Sequence, residues 1–118
     1  FVAWVPVARA EAINMGLTSD PVVRTGTTTS DGNGDCGTNG QSANYTLTIS
    51  QDIGSLGVQV SGSEDLTLLV VGPGGRFCLL ATGGVASMPG YWSTGTYQLV
   101  VGKSKPGSAP YRLEIKRS

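Results

Sequence analysis

Few residues in this sequence could carry out covalent chemistry. The 118-residue chain contains no histidine, so it lacks the commonest general base and any Ser-His-Asp or Cys-His arrangement. Glu64 and Asp65 are neighbours, and neighbouring residues on a strand point to opposite faces. Ser104 and Lys105 are also adjacent, and an exposed lysine is protonated and inert as a base. The sequence therefore predicts a protein that is not an enzyme.

One polar turn offers a pattern of metal ligands. Asp31, Asn33 and Asp35 place side-chain oxygens at alternate positions, as the start of a calcium loop does. Cys36 stands where such a loop needs glycine, and Ser42 stands where it needs a bidentate acid. Asp, Asn and Gly are also the usual residues of a tight turn. A plain turn is the preferred interpretation, calcium is the alternative, and no other cofactor is predicted.

Two adjacent aromatic residues could bind a ligand. Tyr91 and Trp92 follow Met88-Pro89-Gly90 in a turn-like segment. Exposed Trp and Tyr rings are frequent contacts for carbohydrates and proteins. The competing interpretation, which we prefer for Trp92, is packing in the core.

The N-terminal segment, residues 1–12, differs from the rest of the chain. It reads FVAWVPVARAEA, is apolar, and ends in a small-x-small pattern. It is too short to span a bilayer, and it has the features of the end of a secretory signal peptide. The alternative is a retained anchor in which Phe1, Trp4 and Val5 contact a partner subunit or a membrane interface.

The chain has two cysteines, Cys36 and Cys78. In a glycine-rich, β-rich chain such a pair is typical of one disulfide, which predicts an oxidising, extracytoplasmic compartment. Two free thiols in a cytosolic protein are the alternative. Without histidine, two cysteines cannot supply the usual four ligands of zinc.

The charge balance excludes one class of partner. The formal net charge is zero, so no overall field attracts nucleic acid. Five of the eight basic residues nevertheless lie in the last sixteen positions. We interpret them as solubilising charges at strand ends, and a cationic edge that binds an acidic partner is the alternative.

Strand signals follow one another from Asn44 onward. Apolar residues alternate with polar ones in 45–49 and 56–60, and 66–71 is a continuous apolar run typical of a strand covered on both faces. Residues 95–101 and 111–115 end the series, and 26–40 has the composition of a loop. These patterns predict one all-β domain, residues 13–118, folded as an antiparallel β-sandwich. A small barrel is the second choice.

The second half resembles a known family. The stretches YTLTISQDIGSLGVQVSG, SEDLTLLVVGPGGRFC, GTYQLVVG and YRLEI are similar to the bacterial pre-peptidase C-terminal domain and its stand-alone secreted relatives. The resemblance implies a jelly-roll-like β-sandwich on an exported protein. It also implies that Asp65 is the acidic residue before the central strand and that Tyr97 anchors the final hairpin.

Together these observations predict a non-catalytic, exported interaction module, an accessory or structural subunit of a larger assembly. The expected partner is another protein, such as a membrane complex or further copies of the chain. The alternative function is a small-ligand or carbohydrate-binding module that uses Tyr91 and Trp92.

Overall fold

In the part of the chain that the structure describes, nine strands form two sheets that face each other. The computed structural model describes residues 10–16, 21–38 and 42–117. The strands are β1 Glu11–Asn14, β2 Val22–Ser30, β3 Tyr45–Ile49, β4 Ile53–Gly62, β5 Leu66–Gly72, β6 Gly75–Leu80, β7 Val85–Trp92, β8 Gly95–Lys103 and β9 Gly107–Arg117, with a short 3₁₀ turn at Asp35–Gly37. None of the described residues forms a helix with the length and hydrophobicity of a membrane span.

The strand order is that of a jelly roll. Sheet one runs β1-β3-β8-β5-β6 and sheet two runs β2-β9-β4-β7. All neighbours are antiparallel except β1, which pairs parallel with β3. The prediction of an antiparallel, jelly-roll-like sandwich with one disulfide is confirmed, with this parallel edge strand as an addition. Glu11 and Ala12, which the sequence groups with the N-terminal segment, belong to β1.

The core lies between the inner faces of the two sheets. The predicted alternation in β3 and β4 is confirmed, because Leu47, Leu56, Val58 and Val60 are fully buried. Two tyrosines cross the core, and the hydroxyl groups of Tyr45 and Tyr111 lie 2.9 Å apart. Burial, together with this hydrogen bond, raises the pKa of Tyr111, so the Tyr111 phenol stays neutral inside the sandwich.

The prediction of a loop over residues 26–40 is wrong for its first part. Strand β2 continues to Ser30 and pairs with β9 along its whole length. Three successive threonines stand here, and their β-branched side chains favour an extended backbone. Gly26 lies opposite Tyr111, and a side chain at Gly26 would collide with the phenol, 2.7 Å from its oxygen.

Strand β5 is covered on both faces, as its continuous apolar run predicts. Its inner side chains are in the core, while its outer residue Leu69 packs with Val100 under Cys36. The Thr67 hydroxyl donates a buried 2.6 Å hydrogen bond to the Cys36 carbonyl oxygen. Gly37 has a φ of 61° and lies so close to the Lys103 carbonyl that no side chain fits there. The turn at Asp35–Gly37 is thus a lid on the outer face of sheet one.

A disulfide fixes this lid to the neighbouring strand. Cys36 and Cys78 are bonded, with Cα atoms 5.5 Å apart and a sequence separation of 42 positions. Cys78 is on β6, beside Leu69 of β5. The predicted pairing of the two cysteines is confirmed.

Removing the disulfide should destabilise the domain. Closing a loop of this length is worth about 3–4 kcal/mol in the chain-entropy treatment, so the Cys36→Ala, Cys78→Ala double variant should lose roughly that much unfolding free energy in urea titrations. Reduction of the wild type should give the same loss. A reductant should leave the double variant unchanged, and equal stability of the oxidised wild type and the double variant would contradict the assignment.

Candidate functional site

The exposed apolar side chains are concentrated on one side of the sandwich. Four large hydrophobic residues are exposed among the described residues: Val71, Phe77, Leu80 and Tyr91. They lie on β5, β6 and β7. Leu80 and Tyr91 are the most open, with 64% and 63% of their surface exposed. We call these four residues, together with Met88, the β6 flank.

The flank exists because β6 and β7 are edge strands of different sheets. Strand β6 ends sheet one and β7 ends sheet two. Phe77 pairs with Val70, whose side chain is in the core, so Phe77 faces sheet two, yet it stays 41% exposed. Leu80 pairs with Thr67 and lies on the outer face. The edge strand thus presents apolar side chains on both of its faces.

A small pocket opens in the flank. It has a volume of about 130 Å³, and its lining residues are Gly74, Phe77, Met88, Tyr91, Trp92, Ser93 and Tyr97. Typical small-molecule sites measure about 300–1,000 Å³. The pocket is therefore too small for a cofactor and has the size of a single side chain.

Tyr91 is held in place although it is exposed. Its hydroxyl donates a hydrogen bond to Asp52, which lowers the pKa of Asp52 and raises that of Tyr91. The same carboxylate accepts hydrogen bonds from the backbone N–H of Thr94 at 2.7 Å and from its hydroxyl at 2.8 Å. A fixed ring loses less conformational entropy on binding than a mobile one.

Trp92 lines the pocket but is not exposed on the flank. It is only 2% exposed, and its ring lies edge-on to Tyr97, 4.8 Å between centroids. Tyr97 in turn bonds through its hydroxyl to the carbonyl of Ser93 at 2.8 Å. Successive residues of β7 point to opposite faces, so the two rings do not form one platform. Trp92 packs in the core, which is the interpretation preferred from the sequence.

A larger, polar cleft lies near Asp52. It has a volume of about 310 Å³ and is lined by Met15, Gly16, Ser50, Gln51, Asp52, Ile53, Gly54 and Arg117. Arg117 donates a 2.7 Å hydrogen bond to the Met15 carbonyl oxygen. The cleft is lined by the guanidinium of Arg117 and by the carboxylate of Asp52, which interacts with Tyr91.

The calcium and N-terminal predictions are not tested by these residues. The backbone N–H of Asn33 donates to the Asp31 carboxylate at 2.8 Å, a hydrogen bond typical of a tight turn. The Asp35 side chain lies outside the described part. Within the described ranges no group of three acidic, cysteine or histidine side chains could hold a metal ion. Phe1, Trp4 and Val5 also lie outside the described residues.

An ion pair that sequence reasoning missed holds the end of β8. The Lys103 ammonium contacts the Asp65 carboxylate, and the lysine is only 6% exposed. Asp65 also accepts a 2.6 Å hydrogen bond from Ser63. Lys103 is one of the basic residues interpreted above as solubilising, and its burial corrects that interpretation. The sequence offers one weak signal, since Lys103 follows the apolar stretch 95–101 after a single glycine.

Four flank residues were not selected by sequence reasoning: Val71, Phe77, Leu80 and Met88. Residues 76–80 read RFCLL and follow the tight turn Pro73-Gly74. The sequence signal for these residues is a strand after a tight turn in which polar and apolar residues do not alternate.

The sequence has a relative that matches over nearly the whole chain. An uncharacterized protein of Synechococcus elongatus is 31% identical over 119 residues, which covers 96% of this chain and 89% of the relative. This chain belongs to the same family. No family model matches the sequence.

Two solved structures share the fold. The pre-peptidase C-terminal domain of a collagenase from Bacillus anthracis has a TM-score of 0.67 at 16% identity, and the match covers 95% of this chain and 99% of that domain. PliG, a periplasmic inhibitor of g-type lysozyme from Salmonella Typhimurium, has a TM-score of 0.50 at 17% identity, covering 93% and 100% of the two chains. The resemblance noted in the sequence is confirmed at the level of the fold.

The Asp65–Lys103 pair should make the free energy of unfolding depend on pH in the acidic range. The lysine, through its hydrogen bond, lowers the pKa of Asp65 from 3.8 to about 2. A carboxyl group whose pKa is lowered by folding stabilises the protein fully at pH values above its unfolded-state pKa. This stabilisation, about 2 kcal/mol for Asp65, disappears as the pH falls through the folded-state pKa. Asp65→Asn should lose at least this much unfolding free energy at pH 7, and its deficit against the wild type should shrink towards pH 2.

Glu64→Gln is the matched control, because Glu64 is the exposed neighbouring acid. It should shift the urea midpoint little at any pH. A constant deficit of Asp65→Asn from pH 7 to pH 2 would contradict an electrostatic role for the pair.

Proposed function

We propose that this protein is a non-catalytic interaction module that works outside the cytoplasm and binds a protein partner through the β6 flank. One observation carries the proposal: the exposed large hydrophobic residues of the described chain all lie on β5, β6 and β7, and two of them, Phe77 and Tyr91, line the same pocket. Contiguous exposed apolar surface on a soluble domain marks an interaction site.

The composition of the flank supports a protein partner. Residues 66–102 contain a single charged residue, Arg76. The centres of protein interfaces are depleted in charge and enriched in aromatic residues, Met and Arg. Phe77, Met88 and Tyr91 with Arg76 match that profile, and the fixed Tyr91 ring suits a binding hot spot.

The polar groups of the described residues support a role without catalysis. Asp65 is used in the ion pair with Lys103, and Asp52 binds Tyr91 and Thr94. The chain contains no histidine that could serve as a base. These two carboxylates therefore make structural contacts and are not paired with each other.

Export is supported by two observations. The disulfide indicates an oxidising compartment, and one fold neighbour is a periplasmic inhibitor. We infer a periplasmic, lumenal or secreted location and kinship with the pre-peptidase C-terminal domains. Anchoring through Phe1, Trp4 and Val5 to a membrane complex or to further copies of the chain remains a prediction from the sequence.

Site-specific photo-crosslinking in the source cells tests the proposed surface. A benzoylphenylalanine placed at Leu80 should give an adduct of defined mass, because this side chain points outward from the flank. The same residue at Thr27, exposed on the distant edge strand β2, should give none. The adduct's mass also separates a second copy from a different protein. Absence of an adduct at Leu80, or equal adducts at both positions, would contradict the proposal.

A carbohydrate-binding role is the second candidate, favoured by the polar cleft of about 310 Å³ beside Asp52. Its aromatic contact would be Tyr91 alone, since Trp92 is buried. On a glycan array the wild type should then bind a defined glycan, and Tyr91→Ala should weaken that binding about tenfold. Tyr91→Phe, which keeps the ring, should retain most of it. A blank array would exclude this role for the glycans displayed.

A further inference from the structure

We propose that the Cys36–Cys78 disulfide is a reducible clasp that holds a strained lid closed. An external thiolate attacks the exposed sulfur of Cys78, the Cys36 thiolate leaves, and the lid at Asp35–Gly37 opens away from sheet one. The reductant is a dithiol, such as a protein with a Cys-x-x-Cys motif in the same compartment. The clasp does not depend on the protein partner proposed above, so it is tested on the isolated protein.

The two sulfur atoms differ in access. Cys36 is only 8% exposed and packs against Leu69 and Val100. Cys78 is exposed, and it stands on β6, the edge strand of sheet one in the described ranges. Cys78 pairs with Leu69, so the two side chains share the outer face of the sheet. Thiol–disulfide exchange depends on which sulfur a thiolate can reach, and here that sulfur belongs to Cys78.

The exchange takes two steps and two electrons. In the first step the bond between the two cysteine sulfurs breaks, a bond forms between Cys78 and the attacking sulfur, and Cys36 takes up a proton. In the second step the other thiolate of the reductant displaces Cys78, which also takes up a proton. Both protons come from the two thiols of the reductant. The products are two cysteine thiols in this chain and one disulfide in the reductant.

The lid holds Cys36 in a backbone conformation that a side chain disfavours. Its φ is 63° and its ψ is 17°, and in the described ranges no other residue except glycine has a positive φ. In this left-handed region Cβ lies too close to the following carbonyl oxygen. Gly32 and Gly34 precede the lid, each with a φ of 77°, and glycine changes conformation readily. Backbone strain therefore favours opening once the bond is broken.

Hydrogen bonds and a small apolar cluster also hold the lid. The Thr67 hydroxyl donates to the Cys36 carbonyl at 2.6 Å, and the Ser30 hydroxyl donates to the Gly37 carbonyl at 2.6 Å. Water replaces these partners when the lid opens, so each hydrogen bond contributes little net free energy. The cluster under the lid has only two buried members besides Cys36. A segment with so few buried apolar contacts can open locally while the rest of the domain stays folded.

Opening of the lid alters two surfaces. It uncovers Leu69 and Val100, each of which is only 6% exposed when the lid is closed. It also releases β6 from the covalent link at Cys78, midway between the flank residues Phe77 and Leu80. The clasp thus makes the structure of the β6 flank depend on the redox state of its compartment.

Reaction with reduced glutathione tests which sulfur is attacked. The oxidised protein is mixed with excess glutathione without denaturant, quenched with acid and treated with N-ethylmaleimide. Trypsin then separates the two cysteines, placing Cys36 in peptide 25–76 and Cys78 in peptide 77–103. Mass spectrometry should find glutathione on Cys78 about tenfold or more in excess of Cys36, because only the former sulfur is open to the thiolate.

Unfolded protein is the control for this reaction. In concentrated urea both sulfurs are open, so glutathione should label the two peptides about equally. Equal labelling of the native protein, a preference for Cys36, or reaction in urea alone would overturn the proposal.

Two double variants test the strain. Cys36→Ser with Cys78→Ser and Cys36→Gly with Cys78→Ser both lack the disulfide, but only glycine adopts the left-handed conformation without a penalty. Hydrogen exchange measured by NMR follows the Gly37 amide, which donates to the Gly34 carbonyl at 3.3 Å. This amide should exchange about fivefold faster in the serine variant than in the glycine variant.

The amides of Val58 and Leu113, two fully buried core residues, are the reference. In the serine variant the Gly37 amide should exchange about tenfold or more faster than they do, because the lid opens while the sandwich stays folded. One common rate would mean that the lid opens only by global unfolding, which contradicts the clasp. Equal Gly37 rates in the two variants would contradict it as well. The glutathione reaction uses wild-type protein, so it decides even if a variant does not fold.

Discussion

The covering of strand β5 on both faces is the constraint on which the rest of the structure depends. Its inner side chains form the core with sheet two, and its outer side chains need a cover that sheet two cannot supply. The turn at Asp35–Gly37 provides that cover over Leu69 and Val100, and the disulfide fixes the turn to β6. One covalent bond therefore both seals the outer face and fastens the edge strand that carries the exposed apolar residues.

The ion pairs and the exposed apolar side chains lie in different parts of the structure. The buried ion pair of Lys103 and Asp65 lies where β8 ends. Another ion pair, which is exposed, joins Arg24 of β2 to Glu11 of β1 and so links the two sheets. The side formed by β6 and β7 carries almost no charge. Solubility favours dispersed charge on a surface. A side with almost no charge and with exposed apolar residues does not serve solubility, and binding of a partner explains it better than folding does.

The sequence predicts the sheets better than the surfaces. Alternation in residues 45–49 and 56–60 identifies inner faces directly, because one face of each strand is buried and the other is not. The polar composition of Thr27 to Thr29 led to a wrong prediction of a loop, because these residues lie in an edge strand. The burial of Lys103 and of Trp92 depends on which strands become neighbours, and so does the exposure of Phe77. Pairings between distant residues are not encoded in local periodicity, so the candidate site emerged only with the topology.

The position of β9 has a consequence for how the domain is made. This strand lies inside sheet two, between β2 and β4, so β2 has no neighbour in its sheet until the last strand has been synthesised. Val22, for example, pairs with Ile115, which is synthesised much later. Non-local pairing of this kind makes folding slow, and unpaired strands are exposed meanwhile. The sandwich therefore cannot close until residues 107–117 have been synthesised, and β2 stays unpaired in its sheet until then.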